Sequence, residues 1–126
     1  MSNNSCLIVT GEKSGEEHVA EFFSKLSEIS PGTEFYGVVG ETLEKQGVKK
    51  IYDLKDFSVM GFSEVIGKLP FFLKAISRLS KLAKEKNTKT AILVDYQDFN
   101  MALAKKLKKQ GVKVLLYVAP QAWAWK

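Results

Sequence analysis

The sequence predicts an α/β fold, a doubly wound parallel sheet of about five strands with helices on both faces. Three observations predict it. Short apolar runs alternate with amphipathic helical patterns along the chain. The clearest runs are apolar at consecutive positions, as in strands buried on both faces. Glycine or Pro-Gly marks most junctions between them. Repeated strand–helix–strand units imply parallel pairing through right-handed crossovers. Such sheets commonly take the order 3-2-1-4-5. The winding then reverses between strands 1 and 4, and ligands bind beyond the carboxyl ends of the strands at that reversal.

Ser5–Thr10 (SCLIVT) reads as the first strand and Gly11 breaks it. Ser14 reads as a helix N-cap, with Glu17 three residues on completing a capping box. The helix from about Gly15 to Ile29 carries Val19, Phe22, Phe23, Leu26 and Ile29 at helical spacing, and Pro31-Gly32 ends it. Glu34–Val39 is a second strand, 41–47 a short helix stopped by Gly47, and Val48–Tyr52 a third strand. A long helical pattern covers about Ser63 to Lys86, although Pro70 allows a later start. Thr90–Val94 is the fourth strand. Asp98–Gln110 is a helix with Asp98 as N-cap and Gly111 just past its end. Val112–Val118 is the fifth strand.

Composition narrows the function classes. The 126 residues make one domain or part of one; 45% are apolar and 26% charged, which is ordinary for a folded globular chain. No apolar run approaches the roughly 18 residues of a membrane-spanning helix. Met1-Ser-Asn-Asn-Ser lacks the basic residues of a secretory leader. A single cysteine allows no internal disulfide, and Cys6 reads as a small buried hydrophobe in a reducing compartment. One histidine beside one cysteine argues against a zinc site, and no metal is expected. The charge is uneven: residues 1–62 hold 6 Lys against 10 acidic residues, and residues 63–126 hold 12 Lys and 1 Arg against 4 acidic residues. The second half therefore either prefers anionic partners or presents solvated lysine-rich helices.

Two segments fall at the predicted crevice. After strand 1 comes Gly11-Glu12-Lys13-Ser14-Gly15, where glycines allow a tight turn and a helix start offers free N–H groups to an anion. The loop matches neither the P-loop nor the dinucleotide fingerprint, and a plain capped turn explains it equally. Glu12, at the crevice mouth, has no evident structural duty. After strand 4 comes Asp95-Tyr96-Gln97-Asp98-Phe99-Asn100. Asp95 closes an apolar strand beside a helix start, a suitable place for a general base. Asp98 has a simpler explanation as a cap.

The long helix groups Val65, Leu69, Phe72, Leu73, Ile76, Leu79 and Ala83 on one face, read as core. Phe71, Lys74, Arg78 and Lys81 lie opposite. Phe57, Val59, Met60 and Phe62 precede the helix. Apolar groups beside a basic stripe suit contact with an anionic bilayer, and packing on the sheet or on a neighbouring subunit is the alternative.

Five ordered blocks resemble the lipid A disaccharide synthases. Gly11-Glu12-Lys13-Ser14-Gly15-Glu16 resembles that family's G-E-x-S-G-D, and Gly37-Val38-Val39-Gly40 its G-[IV]-x-G. Val59-Met60-Gly61-Phe62-Ser63-Glu64-Val65 resembles V-M-G-x-x-E-V. Asp95-Tyr96-Gln97-Asp98-Phe99-Asn100 resembles D-[AS]-P-D-F-N. The run Tyr117-Val118-Ala119-Pro120-Gln121-Ala122-Trp123-Ala124-Trp125-Lys126 resembles Y-[VI]-S-P-S-V-W-A-W-[RK]. A flavodoxin-like or nucleotide-binding domain of other descent would share the sheet but not these blocks.

The resemblance implies a Rossmann-like N-terminal, acceptor-side domain over 1–126 of an inverting GT-B glycosyltransferase, incomplete and without the C-terminal domain that binds UDP. The family transfers diacylglucosamine from its UDP-linked form to diacylglucosamine 1-phosphate and releases UDP. It works without a cofactor, peripherally on the cytoplasmic face of the inner membrane, in lipopolysaccharide biosynthesis. Asp95 falls on the family's catalytic base. Gly11, Glu12, Ser14, Gly15, Met60, Asp98 and Asn100 fall on the substrate side. The block from Val59 and the following helix fall on the membrane-contact region, with Phe57, Phe62, Phe71, Lys74 and Arg78 as contacts. Glu16 departs from the motif's Asp, Tyr96-Gln97 from small-Pro, and Ala119 and Gln121 from two serines. The chain also lacks the length for the donor-binding half, so it is expected to be inactive alone, either as a fragment or as one half of a split enzyme whose partner is a separate C-terminal half. A non-catalytic lipid-binding module derived from the family is the alternative, and nucleic acid is not an expected partner.

Overall fold

Continuous β-branched and aliphatic runs, once paired side by side, leave no strand face for water. The computed structural model, which describes residues 4–57, 69–94 and 97–117 without the side chains of Gln97 and Asp98, shows that outcome. Strands β1 (Ser5–Thr10), β2 (Glu34–Val39), β3 (Lys49–Asp53), β4 (Thr88–Val94) and β5 (Lys113–Tyr117) form one sheet in the order β3-β2-β1-β4-β5. Every pairing is parallel. Helices α1 (Lys13–Ile29), α2 (Glu41–Lys45), α3 (Leu69–Glu85) and α4 (Gln97–Lys109) connect them, and a 3-10 turn, Leu54–Asp56, follows β3.

Alternate residues of each strand feed two cores. Cys6, Ile8, Phe35, Val39, Ile92 and Val94 pack with Val19 and Phe23 of α1 and Leu43 of α2. Leu7, Val9, Tyr36, Val38, Ala91 and Leu93 pack on the other face with Phe72, Leu79 and Ala83 of α3 and Leu103 and Leu107 of α4. The result is a three-layer doubly wound α/β domain, Rossmann-like as expected.

Gly37 is where the sheet depends on a missing side chain. Its φ is +151°, and a Cβ there would collide with the Ile8 carbonyl of the neighbouring strand. Helices α2 and α4 both end in the same cap. Gly47 and Gly111 take left-handed φ values of 114° and 86°, and the following Val48 and Val112 donate back to the Leu43 and Leu107 carbonyls at 3.1 Å.

The amino edge of the sheet is tied by hydroxyls. Ser5 Oγ donates to the Lys86 carbonyl at 3.0 Å, so its bond to Thr88 Oγ1 at 2.7 Å must be donated by Thr88. The Tyr36 hydroxyl then donates to Thr88 Oγ1 at 2.6 Å. This chain joins β1, β2 and β4 at the amino end of the sheet.

The first helix begins differently from expectation. Glu12, not Ser14, is the N-cap, in extended conformation (φ −143°, ψ 159°), and no side chain caps the helix. Ser14 is exposed within the first turn. The capping-box reading therefore fails, because the chain enters the helix two residues earlier, directly off β1. Helix α3 also differs in its exposed face: Leu69 and Leu73, expected in the core, are largely solvent-accessible, and Ala75 lies in the core instead.

Candidate active site at the carboxyl edge

The β1–β4 register sets the site. Thr10 pairs with Val94, so Gly11 follows one strand and Asp95 the other from directly paired residues. Thr10 is buried and donates its hydroxyl to the Val38 carbonyl at 2.8 Å, which fixes the exit of β1 against β2. Gly11 and Gly15 are buried, whereas Glu12 and Ser14 are exposed beside the uncapped start of α1. Asp95, Met60 and Phe62 lie outside the described residues, as does the side chain of Asp98. Helix α4 starts at Gln97, so Asp98 sits inside its first turn rather than at its cap.

Asn100, also in that first turn, is 2% exposed, and its Oδ1 has no hydrogen-bond partner among the described residues. A buried amide oxygen left without a donor is rare and costs about 1–3 kcal/mol. Beside it Phe99 enters an aromatic cluster. Phe57 is central there, with ring centroids of Phe71, Phe72 and Phe99 at 5.1, 5.7 and 5.0 Å and Tyr52 at 5.8 Å. These rings join the end of β3 to the starts of α3 and α4 as an aromatic floor.

That floor corrects the bilayer assignment of Phe57, which is 0% exposed. Leaving the 3-10 turn, the chain places this ring between α3 and α4, where large apolar surface is already gathered. Phe71 is half-buried against Tyr52, Phe57 and Phe72. The Arg78 guanidinium lies 5.4 Å from the Tyr52 ring centroid. The residues that α3 exposes include Leu69 and Leu73 and, on another side, Lys74, Arg78 and Lys81.

Glu16 is the site-edge residue that sequence reasoning passed over except as a departure from a motif. It is 2% exposed, and its Oε2 accepts from the backbone N–H groups of Gly40 at 2.9 Å and Leu43 at 2.8 Å. The carboxylate thus caps α2 from the first turn of α1. Gly40 permits this, since a Cβ there would sit 2.7 Å from Glu16 Oε1. One signal was available: Glu16, Val19 and Phe23 share the inward stripe of α1.

Next to this cap a cleft of about 560 Å³ opens, lined among others by Lys13, Glu16, Glu41, Lys50, Asp53 and Lys55. Lys50 Nζ bridges Asp53 at 3.0 Å and Glu44 at 3.1 Å. Bonds to Asp53 and then Glu44 raise the Lys50 pKa. The Lys55 backbone N–H, and then Lys50, hold the Asp53 carboxyl below its ordinary range. Gly11, Glu12, Ser14 and Gly15 do not line this cleft. Among the described residues no group of three His, Cys, Asp or Glu side chains could hold a metal ion, and no helix is long and apolar enough to cross a membrane.

A parallel sheet with its winding reversal between β1 and β4 defines a Rossmann-like protein of the doubly wound α/β class. Within that class, the chain belongs to the lipid-A-disaccharide synthetase family, whose model matches residues 6–126. It is 44% identical to a lipid-A-disaccharide synthase of Myxococcus xanthus over 95% of this chain and 31% of the relative. A Nitrosococcus oceani enzyme of the same name is 38% identical over the whole chain and 33% of the relative. Lipid-A-disaccharide synthase 1 of Legionella pneumophila is 40% identical over 95% of this chain and 32% of the relative. The chain thus spans about a third of the length of the curated relatives it matches.

Proposed function

We propose that this chain is the acceptor-side part of a lipid A disaccharide synthase, a GT-B glycosyltransferase that acts together with a donor-binding part. The observation that carries the reading is the Thr10–Val94 register within a family member. It aligns the exits of β1 and β4, from which the Gly11–Gly15 loop and Asp95 follow.

In this reading Asp95 is the general base. Its carboxylate takes the proton of an acceptor hydroxyl on diacylglucosamine 1-phosphate as that oxygen bonds to the anomeric carbon of the UDP-linked diacylglucosamine. The carbon–oxygen bond to UDP breaks on the opposite face, and UDP leaves with the electron pair. One carboxylate suffices, because inversion in a single displacement needs a base and no covalent intermediate. Asn100 Oδ1, a buried acceptor without a donor among the described residues, is suited to receive a substrate hydroxyl or to hold the turn that carries the base. Gly11, Glu12, Ser14 and Gly15 are assigned to the acceptor side, with Met60 and Asp98. The exposed basic residues Lys74, Arg78 and Lys81 on one side of α3, with the exposed apolar Leu69 and Leu73 on another, support peripheral contact with the cytoplasmic face of the inner membrane.

Incubating the chain with both lipid substrates, with and without the remaining part of a relative, tests the reading by UDP release. The expected result is release only from the combined parts. No release from a combination shown to be assembled would reject it.

A further inference from the structure

The cleft beside the Glu16 cap takes no part in the steps described above. It holds about 560 Å³, and Leu54 is the one large apolar side chain on its wall among the described residues. An acyl chain or an aromatic base would find almost no surface there to bury against. The rest of the wall is polar and comes from three strand exits. Lys13 starts α1 after β1, Glu41 and Thr42 lie in α2 after β2, and Asp53 and Lys55 close and follow β3.

Internal bonds already occupy most of the charges in the cleft. Glu16 is held by the Gly40 and Leu43 N–H groups, and Lys50 is shared between Asp53 and Glu44. Three charged side chains remain. Lys13, Lys55 and Glu41 are exposed and form no ion pair or side-chain hydrogen bond among the described residues, although the charge of Lys55 helps to hold Asp53 low. Two ammonium groups against one carboxylate favour an anion. The Glu41 carboxylate and the half-buried Thr42 hydroxyl add hydrogen-bonding partners for neutral hydroxyls.

We propose that this cleft binds a sugar phosphate, with Lys13 and Lys55 on the phosphate and Glu41 and Thr42 on the sugar hydroxyls. A phosphate monoester carries about −1.5 to −2 charge at neutral pH, which two ammonium groups match. The inference rests on the functional reading for one point, that the sugar phosphate is the headgroup of the acceptor, diacylglucosamine 1-phosphate. The position agrees with that: Lys13 follows β1, β1 pairs with β4, and Asp95 follows β4. The acyl chains then lie outside the cleft.

Glucosamine 1-phosphate, which has no acyl chains, is the probe. Titrated into the isotope-labelled chain, it should shift the amide signals of Lys13, Glu41, Thr42 and Lys55. Lys13→Ala/Lys55→Ala should weaken binding about tenfold or more, as lost charge-assisted bonds do. Lys25→Ala, on the exposed side of α1, should leave it unchanged. Inorganic phosphate should bind more weakly than the sugar phosphate, and glucosamine not measurably. No binding would overturn the proposal, as would shifts confined to other segments, or equal binding by a double variant whose spectrum shows the fold intact. Inorganic phosphate binding as well as the sugar phosphate would overturn the assignment of a sugar, and displacement of the probe by UDP would give the cleft to the donor instead. In the combined parts, Lys13→Ala/Lys55→Ala should raise KM for the acceptor and change kcat little. UDP release with an unchanged KM would overturn the cleft assignment and leave the functional reading standing. Probe binding in the cleft without any UDP release from assembled parts would reject the functional reading and leave the sugar-phosphate site standing.

Discussion

Two backbone donors at the start of α2 meet their acceptor in the side chain of another helix. Glu16 supplies it from α1, and with it a charge-assisted link between the loops after β1 and β2. Glu16→Ala removes both bonds and leaves the Gly40 and Leu43 N–H groups bare inside the protein. Hydrogen bonds to a charged group contribute about 1.5–3 kcal/mol, so a clear fall in the urea midpoint is expected, with Glu16→Gln intermediate. An unchanged midpoint for Glu16→Ala would mean that water caps α2 as well as the carboxylate does. At Asp95 the expectation concerns rate rather than stability. In the assembled enzyme Asp95→Asn should leave the melting temperature in place and lower turnover by about 10²–10⁴-fold, the usual share of a general base. Near-full activity in Asp95→Asn with loss in Asp98→Asn would move the base to the second carboxylate.

At the scale of the element, α3 has two duties on two faces. Phe72, Ile76, Leu79 and Ala83 are buried against the sheet, and Phe71 closes the aromatic floor with Phe57. The remaining surface includes exposed Leu69 and Leu73 and, on a separate side, the basic Lys74, Arg78 and Lys81. Each basic residue near an anionic surface contributes about 1 kcal/mol, and each buried CH₂ about 0.8 kcal/mol, which gives reversible, salt-sensitive association. Sedimentation with anionic liposomes should therefore weaken in high salt, with Leu73→Ser, and with Lys74→Glu/Arg78→Glu. Phe57→Ala should act otherwise, destabilising the fold by about 3–5 kcal/mol as a lost core aromatic does. Binding indifferent to salt and to the α3 substitutions would make this face an ordinary solvated one.

At the scale of the whole molecule, a dependence of stability on alkali is expected through its core. Burial pushes the Cys6 thiol up to about 12, whereas an unfolded thiol ionises near about 8.5. The unfolded chain therefore loses its proton first as pH rises. The stability held by the protonated, buried thiol is complete below the unfolded range and is lost progressively as pH climbs from there through about 12. Tyr36, raised mainly by its own burial, acts in the same direction. Cys6→Ala should flatten the fall in urea midpoint between neutral and strongly alkaline pH without abolishing it, since Tyr36 remains. Equal slopes in the two proteins would show that Cys6 is already ionised or solvated in the fold.

Sheet order, parallel pairing and the place of each strand were legible in the sequence, because buried parallel strands need continuous apolar runs and their junctions need glycine, although β3, β4 and β5 run Lys49–Asp53, Thr88–Val94 and Lys113–Tyr117 rather than over 48–52, 90–94 and 112–118. Ser5–Thr10 and Glu34–Val39 match the structure at both ends, and Gly111 stops its helix where expected. The family was legible for a different reason: five short blocks keep their order. Tertiary structure decided what local pattern leaves open. Periodicity assigns a residue to a helix face but does not say which neighbour that face meets. Leu73 therefore read as core and is exposed, while Phe57 read as surface and lies at the centre of a ring cluster formed by segments far apart in the chain. Glu16 is the sharpest case. An acidic residue in the first turn of a helix is ordinarily a solvated one, and only the close approach of Gly40, with no Cβ to keep it away, turns this carboxylate into a buried cap.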